Sequence, residues 1–177
     1  MEKPPFHQHE RRSMDPAPSA MRLRRILVPV DLGETTIEAL RYAAAFAREY
    51  KATITLLHVV KPDGLEAERD PSGAPDDLVE TGECELRRLA DAIWGDEIVT
   101  DIVVATGEPC RQIINEAKET AADMILMASH SPVGAWGLVR RGTATKVVRY
   151  APCPVLVVRP FGQGFIGDGA AKRCVDH

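Results

Sequence analysis

No stretch of the 177-residue sequence approaches the roughly 20 consecutive apolar residues needed to cross a bilayer, and its first residues lack the apolar core of a secretory signal. The expected location is therefore the cytoplasm, with no membrane partner. Positive charge is not in excess either, since 22 Lys and Arg stand against 26 Asp and Glu, a formal net charge of −4. Nucleic acid requires a concentrated basic surface, so it is not an expected partner. The four cysteines, Cys84, Cys110, Cys153 and Cys174, form no Cys-x-x-Cys pair, which argues against a zinc knuckle or a dithiol redox motif. Free thiols are expected, with Cys153, set between Pro152 and Pro154, as buried filler. The chain also lacks a Gly-x-Ser-x-Gly elbow, a His-Glu-x-x-His helix and a Walker lysine loop. Dedicated catalysis is not expected, and no catalytic residue or metal ligand is assigned.

What is present suits one domain with spare residues at its ends. Residues 1–21 mix proline and charge with few large apolar groups, and read as a disordered tail. His7 and His9 within it read as solvated. Residues 161–177 are glycine-rich and weakly apolar, and read as a loose second tail. The domain is thus placed at residues 22–160.

Within it, strand-like and helix-like patterns alternate. Ile26 to Val30 is a short, β-branched apolar run of the kind covered on both faces. From Thr36 to Tyr50, Ile37, Leu40, Ala44 and Ala47 make one apolar helical stripe, with Thr35 or Thr36 as its cap. Thr53 to Val60 is a second strand, residues 65–75 a surface loop, and Asp76 to Trp94 a helix stopped by Gly95. A third strand is expected over Ile98 to Ala105, followed by a turn at Gly107-Glu108-Pro109 into a helix facing inward through Ile113, Ile114 and Ala117. Met124 to Ala128, a helix from Gly142 to Tyr150, and Val155 to Val158 complete the series. Such alternation predicts an α/β fold, a parallel sheet between helices, because parallel neighbours must be joined by crossovers.

The segments ILVPVDLGETTIEALRYAAAFA, TITLLHVV, GEPCRQIINEAKETAADMILMASH and GTATKVVRYAPCPVLVVRP together resemble the universal stress protein family, in order and across nearly the whole domain. The most specific pieces are Val28-Pro29-Val30-Asp31, Ala122-Asp123-Met124-Ile125 leading into Ser129-His130, and Ala151-Pro152-Cys153-Pro154-Val155. The resemblance implies a doubly wound five-stranded sheet ordered 3-2-1-4-5, of the adenine nucleotide alpha hydrolase type, with the site where the first and fourth strands end. It implies that Pro29, Val30 and Asp31 lie beside the adenine end of a nucleotide and that the backbone at Val59 lines the base pocket. Gly107 would adjoin the ribose. Ala128, Ser129, His130, Ser131 and Arg141 would form the phosphate loop, and Gly142-Thr143 would hold phosphate at a helix N-terminus, where bare amides and the dipole favour an anion for general reasons. The implied ligand is ATP with its Mg²⁺.

One departure bears on that ligand. ATP-binding members carry Gly-x-x-Gly, nine residues, then Gly-Ser or Gly-Thr. Counted from Ser129-His130, this chain has Ala128 and Ser131 at the glycine positions and ten residues before Gly142; counted from Gly142-Thr143, the positions fall on Ser129 and Pro132. Gly134-Ala135-Trp136-Gly137 stands too close to Gly142 to be a displaced copy. Arg140 and Arg141 either attract phosphate or form a solvated basic turn.

Asp31 has two readings, a ligand contact or a cap of the following helix through a turn at Gly33. His58, inside a strand, reads as a hydrogen-bonded core group, and His130 has no identifiable catalytic partner. Three functions follow. The first is a non-catalytic stress-response regulator, dimeric through the edge strand Val155 to Val158 and able to bind an adenine nucleotide. The others are a slow Mg-dependent ATP hydrolase acting as a switch, and a nucleotide-free interaction module.

Overall fold

The structure, a computed structural model, describes residues 22–33, 36–61, 76–128 and 142–159. Both expected tails, the surface loop, Thr35, and the phosphate-loop residues Ser129, His130, Ser131, Arg140 and Arg141 lie outside the described residues.

Among the described residues five strands and four α-helices alternate: β1 (Arg25–Val30), α1 (Thr36–Tyr50), β2 (Thr53–Val60), α2 (Asp76–Ile93), β3 (Thr100–Thr106), α3 (Pro109–Glu119), β4 (Met124–Ala128), α4 (Thr143–Tyr150) and β5 (Val155–Val158). A 3₁₀ turn at Gly95–Glu97 separates α2 from β3. All strand pairs are parallel and the order is β3-β2-β1-β4-β5, as the resemblance implies.

Strand side chains alternate between two cores, the period-2 consequence of the pleat. Ile26, Val28, Ile54, Leu56 and Leu126 face α1 and α2, meeting Leu40, Ala43, Ala44 and Leu86. Leu27, Leu57, Ile125 and Met127 face α3 and α4, meeting Cys110, Ile113, Ala117 and Val147. Helices therefore cover both faces, and each fully buried Ile or Leu contributes roughly 1.5–3 kcal/mol. Gly82, inside α2, is explained by this packing: a Cβ there would come within 3.3 Å of Val104 and 3.4 Å of His58. At the amino ends of the strands, Asp123 Oδ2 accepts the N–H groups of Arg24 and Arg25 at 2.8 and 2.9 Å, tying β4 to β1.

Two expectations are corrected. Ile37 is 42% exposed, because the buried stripe of α1 centres on Ala43 and runs through Thr36, Ala39, Leu40, Ala44 and Ala47. Those small residues let the helix sit close to the sheet, and Ile37 falls off the stripe's edge. The third strand begins at Thr100 rather than Ile98. Ile98 is instead a buried plug after the 3₁₀ turn, and buried Trp94 fixes the entry into β3 by donating Nε1–H to Thr100 Oγ1 at 2.9 Å.

Candidate functional site

The sheet order places β1 beside β4, with α1 leaving β1 on one face and α4 leaving β4 on the other. A crevice at the carboxyl ends of the strands belongs at such a reversal. Pro29 and Val30 end β1 there, and Ala128 ends β4.

After β1 the chain turns sharply through Asp31-Leu32-Gly33. Leu32 is in the left-handed region at φ 61°. Asp31 Oδ1 accepts the Gly33 N–H at 3.2 Å and the Thr36 hydroxyl at 2.6 Å, while Thr36 N–H donates to the Gly33 carbonyl at 3.1 Å. Asp31 thus closes the turn at Gly33 and ties it to the Thr36 side chain. Its residue remains exposed beside the end of β1, so the turn does not remove it from a ligand's reach.

His58 pairs in register with Val30, and its Nδ1 lies 2.9 Å from the Val30 carbonyl oxygen. A carbonyl only accepts, so Nδ1 carries the proton and the ring is a tether between β2 and the end of β1, as expected of a hydrogen-bonded histidine. Val59 points to the opposite face, half-buried against the α3 side and in register with Ala105.

Gly107 follows β3 at φ 131°, a backbone conformation open to glycine and strained for other residues. Its N–H donates to the Val60 carbonyl at 2.9 Å, extending the β2–β3 ladder by one rung. Gln112 then closes the turn by donating Nε2–H to the Thr106 carbonyl at 2.7 Å. Glu108 caps α3, accepting the Arg111 N–H at 2.8 Å, and its other oxygen Oε1 meets Lys146 Nζ on α4 at 3.3 Å. Burial pushes the Glu108 carboxyl up, but the Arg111 N–H, the Lys146 ammonium and the charge of Lys61 outweigh it and hold the group below the ordinary value.

Gly142 is the N-cap of α4, so the helix starts at Thr143, one residue later than the sequence pattern suggests, and the cap residue itself has no side chain to bond the first amides. Its φ of −71° and ψ of 154° are ordinary, and among the described residues nothing lies within 4 Å of where a Cβ would stand. Among the described residues, neither strain nor packing demands the glycine. Among the described residues no three His, Cys, Asp or Glu side chains converge to hold a metal.

Of the residues named from sequence, Pro29, Val30, Asp31, Val59, Gly107, Ala128, Gly142 and Thr143 stand at or next to the carboxyl ends of strands or open a helix there. Glu108 and Lys146 join them without having been singled out as site residues. A glutamate before Pro109 is a recognisable helix start, but a pair separated by 38 positions has no local signature.

Residues 22–159 match the universal stress protein family model. A universal stress protein of Methanocaldococcus jannaschii is 29% identical over 141 residues, covering 77% of this chain and 82% of that protein. Among solved structures, a universal stress protein in complex with cAMP superposes with a TM-score of 0.61 at 18% identity, covering 78% of this chain and 98% of that one. The universal stress protein of Archaeoglobus fulgidus in complex with dAMP gives a TM-score of 0.56 at 23% identity, covering 77% and 98%. With a family match over nearly all of the domain, and the sheet order that its motifs imply, the chain belongs to the universal stress protein family.

Proposed function

We propose that this protein is a non-catalytic, cytoplasmic stress-response regulator that binds an adenine nucleotide at the carboxyl ends of β1 and β4 and dimerises through β5. The observation that carries the nucleotide reading is Gly142: a helix start at the carboxyl edge of the sheet whose N-cap residue has no side chain of its own to fill it. A helix N-terminus with its dipole behind it favours an anion, and a phosphate is the anion that an adenine nucleotide brings. Family membership supports the same reading, as do the fold neighbours described with cAMP and dAMP.

The remaining described residues fit such a ligand. Val59 and Gly107 would border the base and ribose, and the exposed Asp31 would stand at the adenine end. Mg²⁺ would enter on the phosphates, where it neutralises charge, since the described side chains form no metal cluster of their own. The dimer rests on β5, which among the described residues pairs with β4 alone and has half-buried Val155, Leu156 and Val157.

Calorimetric titration with Mg-ATP, AMP and cAMP tests the site, with Gly142→Leu as control. Saturable binding lost in the variant is expected. An absence of heat and of thermal stabilisation at millimolar nucleotide overturns the nucleotide reading and leaves an interaction module. Phosphate release above a blank at saturating Mg-ATP would favour the hydrolase instead. Light scattering at micromolar concentration tests the dimer, and a strict monomer removes it.

A further inference from the structure

The N-termini of α3 and α4 both lie at the carboxyl edge of the sheet, because each helix follows a strand and both pack on the same face. The positive ends of their dipoles therefore point the same way. They are finished differently. At α3 an internal anion is supplied, the Glu108 carboxylate, which accepts the Arg111 N–H. At α4 the cap is Gly142, which has no side chain to offer. A single salt bridge joins the two helix starts among the described residues, Lys146 Nζ to Glu108 Oε1 at 3.3 Å, with side chains 51% and 52% exposed.

The placement of Lys146 matters. It stands four residues after Gly142 and three after Thr143, hence on the helix face that continues from them, and helical side chains lean toward the N-terminus. Its ammonium is thus directed back toward the start of α4, and Glu108 is the group that holds it. Lys61, at the end of β2, adds a second positive charge near the same carboxylate.

We infer that Glu108 competes with a ligand phosphate for Lys146, so that this pair sets the strength and the charge preference of nucleotide binding. The inference rests on the nucleotide reading above and assigns a regulatory element to that site. An exposed ion pair is weakly held, so a phosphate arriving at the start of α4 can draw Lys146 away from Glu108. While the pair stands, the Glu108 charge both occupies the lysine and repels the incoming anion. Ligands with more phosphate charge gain most from the exchange.

The test uses the full chain in four forms: wild type, Glu108→Gln, Lys146→Gln and the double variant, each titrated calorimetrically with Mg-ATP and with AMP. Glutamine at position 108 keeps an acceptor for the Arg111 N–H while removing the charge. Circular dichroism and thermal melts establish that all four are folded. Glu108→Gln is expected to tighten binding about two- to fivefold, the range an exposed ion pair spans, and more for ATP than for AMP. Lys146→Gln is expected to weaken it, and the double variant to match Lys146→Gln. Unchanged affinity in Glu108→Gln overturns the inference, as does a gain that persists without Lys146, which would mark a general field effect. Wild-type binding indifferent to both positions sinks the inference alone, whereas no binding by any form sinks the nucleotide reading and the inference with it.

Discussion

The Thr36 hydroxyl donates to Asp31 Oδ1 at 2.6 Å, across the turn that carries the chain from β1 into α1. Thr36 is 3% exposed and Asp31 is exposed, so the bond ties a buried helix start to the rim of the crevice. Thr36→Val keeps the shape and deletes the donor. It is expected to cost about 1 kcal/mol of stability, the usual value of such a bond, and to leave nucleotide affinity within twofold. Asp31→Ala removes the turn's acceptor and the rim charge together, and should lower both stability and affinity. Denaturant titration paired with calorimetry separates the two. If Thr36→Val weakens nucleotide binding as much as Asp31→Ala does, Asp31 acts through the turn alone.

Gly107 supplies a second test of local geometry. At φ 131° it occupies a region that side chains rarely adopt, and a Cβ would sit 3.0 Å from Gln112 Nε2. Gly107→Ala therefore strains the backbone and pushes away the amide that satisfies the Thr106 carbonyl. A loss of about 1–3 kcal/mol is expected. Gly142→Ala, in ordinary backbone and with no described neighbour within 4 Å of its Cβ, is expected to stay within about 0.5 kcal/mol. Equal effects at the two glycines, measured by urea unfolding with unchanged slope, would contradict this account.

The fold was legible in the sequence because its signals are local and redundant. Each buried strand is a short apolar run, each helix a stripe with a recognisable start, and their alternation leaves few topologies. Errors arose where tertiary packing chose among equivalent residues. Ile37 has the apolarity of a stripe residue, yet the close approach of Ala39, Ala43 and Ala47 to the sheet rotates it outward. Ile98 has the β-branching of a strand residue, yet Trp94 and Thr100 together make it a plug. For the site, residues next to strand ends could be placed from the motifs alone. Glu108 with Lys146 could not, because their meeting depends on α3 and α4 packing side by side.

Acid titration should resolve two glutamates of opposite sense on α3. The Glu108 carboxyl lies below its ordinary value of 4.5, so its contribution is fully present above 4.5 and is lost as pH falls through the folded-state value. Glu116 behaves in reverse: desolvation, then the charge of Glu119, raises it above 4.5, so the native state holds that proton more firmly. Its ionisation therefore costs stability as pH rises from 4.5 through the folded-state value. Glu108→Gln should be less stable than wild type near pH 7, and Glu116→Gln more stable. Both differences should shrink toward zero in acid strong enough to protonate the carboxyls in the folded and unfolded chain alike. Urea midpoints at the two pH values give the comparison, and differences that persist unchanged in acid would show that the substitutions act by packing.

Cysteine reactivity can be ranked from burial and charge. Cys84 is exposed on α2, Cys110 is buried at the start of α3, and Cys153 is half-buried before β5, less enclosed than the filler its flanking prolines suggest. Burial raises the Cys110 thiol and Glu108 adds to it against an opposing Lys146; burial and Asp123 likewise raise Cys153 against a backbone bond to Ile125. Since the thiolate is the reacting species, an upward shift lowers the reactive fraction at a given pH, and burial adds a barrier to access. In a Cys174→Ser background, which isolates these three thiols, native protein near pH 7.5 should react with a disulfide reagent faster at Cys84 than at Cys110 or Cys153. In denaturant the three rates should converge. Rapid native labelling of Cys153 would mean that its surroundings activate the thiol, and would make the turn between Pro152 and Pro154 a candidate redox-sensitive element beside the proposed dimer strand.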